Sequence, residues 1–372
     1  MYDTIIIGAG SMGAAAGFYL ANAGKKVLLL DAFNPPHTNG SHHGQTRLIR
    51  HAYGEGTAYV PFALAAQKLW NELENLSGRQ IFKNTGVLNI GKRDSVFIQN
   101  IIQSAEDFTL PVEVLTSSEI NERYKGWSVP DEYIGCMETS SGVLFCQEAI
   151  SAYLDLALQK GADLKINHKV SDIKASDNQV EVVANGQVFT GKTLILSAGG
   201  YMPELLEKVD LTLPIQAQRA TFSWFEADDT YNEQHFTGFS FETPQGIFYG
   251  FPNLDGQGLK IGKHESHPTD IHNQIAFKES DKKDLEDFVA TYLKQAGKLN
   301  LGKNCIYTLT PDEDFIIDQH PNYPNIAIAA GFSGHGFKFA SVVGQVLSQL
   351  VSKGTIEYDI SKFSIKRFDK LT

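Results

Sequence analysis

The segment GAGSMG sets Gly8, Gly10 and Gly13 in the G-x-G-x-x-G spacing, directly after the apolar run TIII and ahead of a stretch rich in small residues. That order is strand, tight turn, helix. In it one glycine makes the turn, one lets a pyrophosphate approach, and one lets helix and strand pack closely. The helix start then offers unpaired N–H groups and the positive end of its dipole to phosphate. Asp31 ends the return strand KVLLLD, where a carboxylate can accept from ribose hydroxyls. Together these residues predict a dinucleotide site.

Other chemistry-bearing residues stand outside any local motif. Cys305, in GKNCIYTLTPDEDF, has four readings: buried filler, metal ligand, half of a disulfide, or a covalent anchor. The chain's other cysteines are Cys136 and Cys146, too few for a disulfide framework, and no C-x-x-C pair suggests zinc. Reduced thiols fit a cytoplasmic protein. The tandem His42 and His43 lack acidic or cysteine ligands at a suitable spacing, so no metal site is expected. Taken alone, Arg50 reads as a solvated loop arginine, Lys338 as a surface lysine, Tyr249 as a core tyrosine and His264 as a structural histidine.

The elements that must position these residues are legible in outline. TIIIGAGSMGAAAGFYLANAGKKVLLLDA is a βαβ unit with a helix stop at Gly24. Residues 35–56 read as an irregular loop rich in proline, glycine and histidine. YVPFALAAQKLWNELENL and KKDLEDFVATYLKQA have helical periodicity, and CQEAISAYLDLALQKGADL reads as a helix ending at Gly161. VEVVANGQVF carries an Asn-Gly hairpin signal. Short β-like runs over 214–263 predict an antiparallel sheet. TLILSAGG and NIAIAAGFSGHGFKFAS repeat the strand-to-glycine pattern late in the chain, and the last helix closes at Gly354. A nicotinamide enzyme gathers its nucleotide elements consecutively; these scattered ones favour FAD. The expected architecture is α/β: a glutathione-reductase-type Rossmann domain (1–81, 144–213, 312–372) interleaved with an antiparallel-sheet substrate domain (82–143, 214–311). With 372 residues and a net charge of −11, the chain can bury a large core and is a poor partner for nucleic acid. No apolar run is long enough to span a bilayer, and the N-terminus has no signal-peptide pattern.

NGSHHGQTRLIRHAYGEG, PDEDFIID and AAGFSGHGFKFAS together resemble the monomeric sarcosine oxidase family, with its relative N-methyltryptophan oxidase, over essentially the whole chain. The resemblance implies a monomeric oxidase of secondary amino acids that uses FAD and dioxygen. It implies a thioether from the flavin 8α-methyl to Cys305. It makes Arg50 and Lys338 a clamp for the substrate carboxylate, with Tyr249 and His264 beside the amine; Tyr307, two residues after Cys305 and so on the same side of a strand, is expected to line the same cavity. It gives Lys260 a role in oxygen activation. It puts His43 and Arg47 against the flavin ring, and Gly334, His335, Gly336 and Lys338 at its pyrimidine end. Ser240 departs from the family's larger side chain and keeps bulkier N-methyl amino acids open. A nicotinamide-dependent dehydrogenase and a non-catalytic flavin-binding protein are the competing readings.

Overall fold

In the computed structural model, which describes residues 1–254 and 256–368, two eight-stranded sheets carry the molecule. The first is built around strands whose residues are apolar on both faces. Tyr2–Ile7 lies centrally, with Val27–Leu30 on one side and Gln187–Leu196 on the other, all parallel. Asp163–Lys165 extends one edge, and Ile326–Ala330 runs parallel to Gln187–Leu196. Ile316–Gln319 closes that side antiparallel; on the other edge Val170–Ser176 pairs with Gln179–Ala184, which turns at Asn185 and Gly186, both at positive φ, into Gln187–Leu196. Strands buried on both faces need helices over them. Ser11–Asn22, Cys146–Gln159 and Ala340–Ser352 provide that cover, and their apolar faces join one core with Val60–Ser77.

The second sheet runs in the order Leu299–Leu309, Gln216–Phe225, Leu259–Pro268, Gly246–Phe251, Gly238–Thr243, Val87–Lys92, Tyr133–Glu138 and Val112–Thr116. It is mixed, where the sequence suggested antiparallel pairing alone: Gly238–Thr243 runs parallel to Val87–Lys92. The helix Lys283–Tyr292 seals one face through Leu285, Phe288 and Val289, against Phe239, Phe241 and Phe248.

Residues 35–56 are not wholly irregular. Thr46–Ile49 is a strand, paired antiparallel with Gly142–Phe145, which also pairs with Phe82–Lys83. This small sheet lies across the expected boundaries at 81/82 and 143/144. It fixes the segment that carries Arg47 and Arg50. The last helix ends with Lys353 in the left-handed conformation, one residue before Gly354, whose N–H closes the turn on Gln349 O.

Candidate active site

Two cavities meet at the C-terminal ends of the parallel strands. The larger, about 380 Å³, is walled by Gly8, Gly10, Ser11, Asp31, His42, Arg47, Ser197, Tyr307, Gly334 and Gly336 among others. The smaller, about 80 Å³, is walled by Arg50, Glu55, Ser240, Tyr249, His264, His335 and Lys338, with Phe97 and Ile247. Arg47, Tyr307, Gly334 and Phe337 belong to both walls, so the cavities share a partition.

The larger cavity has the form a dinucleotide needs. Gly8 has φ +94°, and a Cβ there would lie 2.6 Å from Ser197 O. A Cβ on Gly13 would lie 1.9 Å from Gly8 O, so only glycine lets helix and turn touch. Gly10 caps the helix without a side-chain hydrogen bond, leaving first-turn N–H groups to the cavity. Asp31 accepts from Ala9 N–H at 2.8 Å and Phe33 N–H at 2.9 Å, which ties the glycine turn to the second strand. His42 Nε2, buried and without a hydrogen-bond partner, belongs to the same wall. The residues present therefore fit FAD.

Arg47 staples its own loop, donating to Ser41 O (2.7 Å), His43 O (2.8 Å) and Thr46 O (2.8 Å). Lys260 is 3% exposed, and its Nζ donates to Gly44 O (2.5 Å), Thr46 O and Thr46 Oγ1 (both 3.1 Å). The rings of Phe222, Trp224 and Phe251 surround that ammonium, 4.9, 5.5 and 4.4 Å away, a cation–π box. His43 lies behind the wall against Phe222. Burial, with Lys303, Arg47 and Lys260 nearby, pulls its pKa down to about 4, so it is neutral. Burial does the same to His42, to about 3, and no group of three potential metal ligands occurs among the described residues.

Cys305 packs with Ala220, Phe222, Trp224 and Tyr307, on the face of its strand that also carries Tyr307. A nucleophilic thiol should gain from nearby cations, and Arg47 and Lys260 do pull its pKa down. Burial outweighs them, and the net direction is upward. Cys136 and Cys146 are buried, and all three thiols are free.

In the smaller cavity the cations are held by their surroundings. Arg50 follows the strand Thr46–Ile49, pairs with Glu55 at 2.8 Å and approaches Asn89 Oδ1 at 3.5 Å. Its guanidinium lies over Tyr53, 5.3 Å from the ring centre. Lys338 sits in a turn just before the last helix. Its Nζ donates to Tyr53 Oη and His335 O, both at 3.0 Å, which leaves one of three protons for a ligand. Tyr53 Oη lies 2.8 Å from His335 Nδ1, and His335 Nε2 lies 3.2 Å from Glu313 O. One direction of donation satisfies this chain: lysine to tyrosine, tyrosine to Nδ1, Nε2–H to the carbonyl. Burial and the Lys338 charge hold His335 neutral, with a pKa near 3. The cavity walls oppose the charge on Glu55, although its side chain is 36% exposed to solvent; Arg50 and Lys338 win and set its pKa at about 2.

Tyr249 and Tyr307 form the aromatic side, their hydroxyls 3.4 Å apart. Each rests on a glycine: a Cβ at Gly262 would strike Tyr249, and one at Gly334 would strike Tyr307, both at 2.5 Å. His264 stands at the mouth, its ring centre 6.2 Å from that of Tyr307. The surrounding walls lower its pKa, with Arg50 and Lys338 adding to the effect. Of the site residues expected from the resemblance and the glycine fingerprint, Gly13, His43, Lys260 and Cys305 sit behind these walls and the others line them. Tyr53, Glu55, Asn89 and Glu138 were not foreseen. Glu55, five residues after Arg50 in HAYGEG, is the one a charge-pairing rule could have found.

The family model for FAD-dependent oxidoreductases matches residues 3–350. A monomeric sarcosine oxidase of Arthrobacter sp. (strain TE1826) is 47% identical over 374 residues, covering 98% of this chain and 96% of that protein. An N-methyl-L-tryptophan oxidase of Yersinia pestis is 40% identical, covering 99% of each. The crystal structure of glycine oxidase from Geobacillus kaustophilus superposes with a TM-score of 0.85 at 20% identity, covering 98% of both chains, which shows the shared fold. No helix among the described residues is long and apolar enough to cross a membrane. Glycine fingerprint, strand order and full-length likeness agree: this chain belongs to the family of FAD-dependent oxidoreductases.

Proposed function

We propose that the chain is an FAD-dependent oxidase of N-methyl amino acids. Sarcosine is the expected substrate, converted with dioxygen and water to glycine, formaldehyde and hydrogen peroxide. Oxidation of N-methyl-L-tryptophan or other secondary amino acids is the alternative. One observation carries the reading: the small cavity with Arg50 and Lys338 on its wall shares a partition with the dinucleotide cavity. Those cations are 7% and 5% exposed, and burying them is costly without an anionic ligand. The full-length likeness to oxidases of both N-methyl amino acids supports it.

FAD, when bound, supplies the two-electron acceptor for the C–H bond next to nitrogen and passes those electrons to dioxygen. The chain's own residues do the rest. Gly8, Gly10, Gly13 and Asp31 hold the dinucleotide; Gly334, His335 and Gly336 bound its other end. Arg50 and the remaining Lys338 proton take the substrate carboxylate as charge-assisted donors. The faces of Tyr249 and Tyr307 receive the N-methyl ammonium. His264, neutral because its pKa lies below its ordinary value, takes a proton from that ammonium, since oxidation needs the free amine. Lys260 supplies a fixed positive charge for reduction of dioxygen. Cys305 would hold the flavin through a thioether to its 8α-methyl. The division into domains at 81/82, 143/144, 213/214 and 311/312, a monomeric state and a cytoplasmic location belong to the same proposal.

Ser240 lines the small cavity beside Phe97 and Ile247 and leaves room that a longer side chain would fill. Apolar fit discriminates by only about 1–3 kcal/mol per methylene. The test is peroxide production by the purified holoenzyme with sarcosine, N-methylalanine and N-methyltryptophan, compared by kcat/KM. Sarcosine leading supports the first reading, and a bulkier substrate leading supports the alternative. No peroxide from any secondary amino acid overturns both.

A further inference from the structure

Glu138 is 2% exposed and lines neither cavity, yet four donors converge on it. Oε2 accepts from His51 N–H (2.7 Å), Ala52 N–H (3.0 Å) and Ser141 Oγ (2.7 Å); Oε1 accepts from Asn89 Nδ2 (2.8 Å). Donors on every side are what an acceptor-only carboxylate requires. Two of them are the backbone groups of the residues that directly follow Arg50. The strand that leads into Arg50 stops at Ile49, opposite Gly142, so those N–H groups depend on Glu138. The fourth donor, Asn89, accepts in turn from Arg50 Nη1. Glu138 and Asn89 belong to neighbouring strands of the large sheet, with Asn89 opposite Cys136. Arg50 directly follows the strand Thr46–Ile49 of the small one. The carboxylate therefore joins the large sheet to both the backbone and the guanidinium of the proposed clamp.

We propose that Glu138, acting through Asn89 and the 51–52 backbone, is a positioning residue that aims Arg50 at the substrate carboxylate. A purely structural carboxylate at this joint would affect folding and all substrates alike. A positioning carboxylate affects recognition of the substrate's negative charge. Its electrostatic reach points the same way, since Glu138 helps to keep both Arg50 and Lys338 protonated. The inference rests on the carboxylate-clamp reading of Arg50.

The experiment compares sarcosine with its methyl ester, which lacks the carboxylate charge, on the holoenzyme of wild type, Arg50→Ala, Glu138→Gln, Glu138→Asp and Asn89→Ala. The ratio of kcat/KM for acid over ester should fall roughly ten- to a hundredfold in Glu138→Gln, carried by KM for the acid, with kcat nearly unchanged. Glu138→Asp should recover part of it. Asn89→Ala keeps Glu138 and its backbone bonds, so it reports even if Glu138→Gln does not fold, and its ratio should fall in the same direction. An equal fall for acid and ester, or an unmoved ratio in Asn89→Ala, overturns the positioning role. If Arg50→Ala leaves the ratio unmoved, the clamp reading fails as well. If only Arg50→Ala moves it, the clamp stands and this inference falls.

Discussion

Lys338 is the group through which pH should control capture of a carboxylate. Burial lowers its pKa from the usual lysine range to about 7, the Arg50 charge adds to that, and Glu55 and Glu138 oppose it. A lowered lysine pKa means that the ligand-free site holds the ammonium below about pH 7 and loses it above. A bound carboxylate favours the ammonium, so affinity should be greatest on the acid side and should fall as pH rises through about 7. The loss is bounded by a hydrogen bond to a charged group, about 1.5–3 kcal/mol, or roughly ten- to a hundredfold in Kd. A carboxylate with no amine, such as acetate, isolates this from titration of the substrate, and the flavin absorbance of the holoenzyme reports its binding. Glu55 and His335 are silent over the same range. Glu55 is already ionised and His335 already neutral, with pKa values of about 2 and 3, and His264 titrates below its ordinary value. Lys338→Arg keeps its charge at every accessible pH and should flatten the dependence. Lys338→Met should bind weakly and flatly. A pH-independent Kd in wild type, or an unchanged slope in Lys338→Arg, would refute the reasoning.

Lys260→Met should slow flavin reoxidation roughly a hundredfold while flavin reduction changes far less, as stopped-flow half-reactions would show. Equal slowing of both halves would remove the oxygen role. Cys305→Ser should release its flavin on acid precipitation, while Cys136→Ser should keep it. An unmodified mass for denatured wild-type chain would return Cys305 to the class of buried filler. Glu55→Gln should lower KM for carboxylate substrates. The side chain of Glu55 is 36% exposed, so its pair with Arg50 is worth about 1 kcal/mol at most and the gain should stay within about fivefold. A higher KM in that variant would mean that Glu55 assists binding.

What was legible in the sequence was local. The fingerprint glycines, the helix stop at Gly24 and the Asn-Gly hairpin follow from φ and contact constraints spanning a few residues, and each stands where its residues predicted. What was missed depends on partners far along the chain. The strand Thr46–Ile49 has four residues in a histidine- and glycine-rich segment, and its partner begins at Gly142. The parallel pair of Val87–Lys92 and Gly238–Thr243 is likewise set by topology and not by pattern. The Cys305 thiol illustrates the same limit energetically. The cations that should lower its pKa were nameable from the resemblance, but the burial that outweighs them arises from Ala220, Phe222 and Trp224 on a neighbouring strand.

The unforeseen acids explain how the foreseen cations can be buried side by side. Arg50 and Lys338 line one small cavity, and each disfavours the other's charge. Glu138 and Glu55 offset them in different ways. Glu138 is sealed among four donors and cannot leave without stranding backbone N–H groups. Glu55 is partly exposed at the cavity wall, and the guanidinium of Arg50 is its hydrogen-bonded partner. In the proposed function an arriving carboxylate would compete with Glu55, and not with Glu138, for the Arg50 guanidinium. A ligand without a carboxylate would leave the Arg50–Glu55 pair in place, a difference of about 1 kcal/mol at most. In the proposed function, selection for amino acids over simple amines would then lie mainly in the cations, with this resident anion as a smaller contribution.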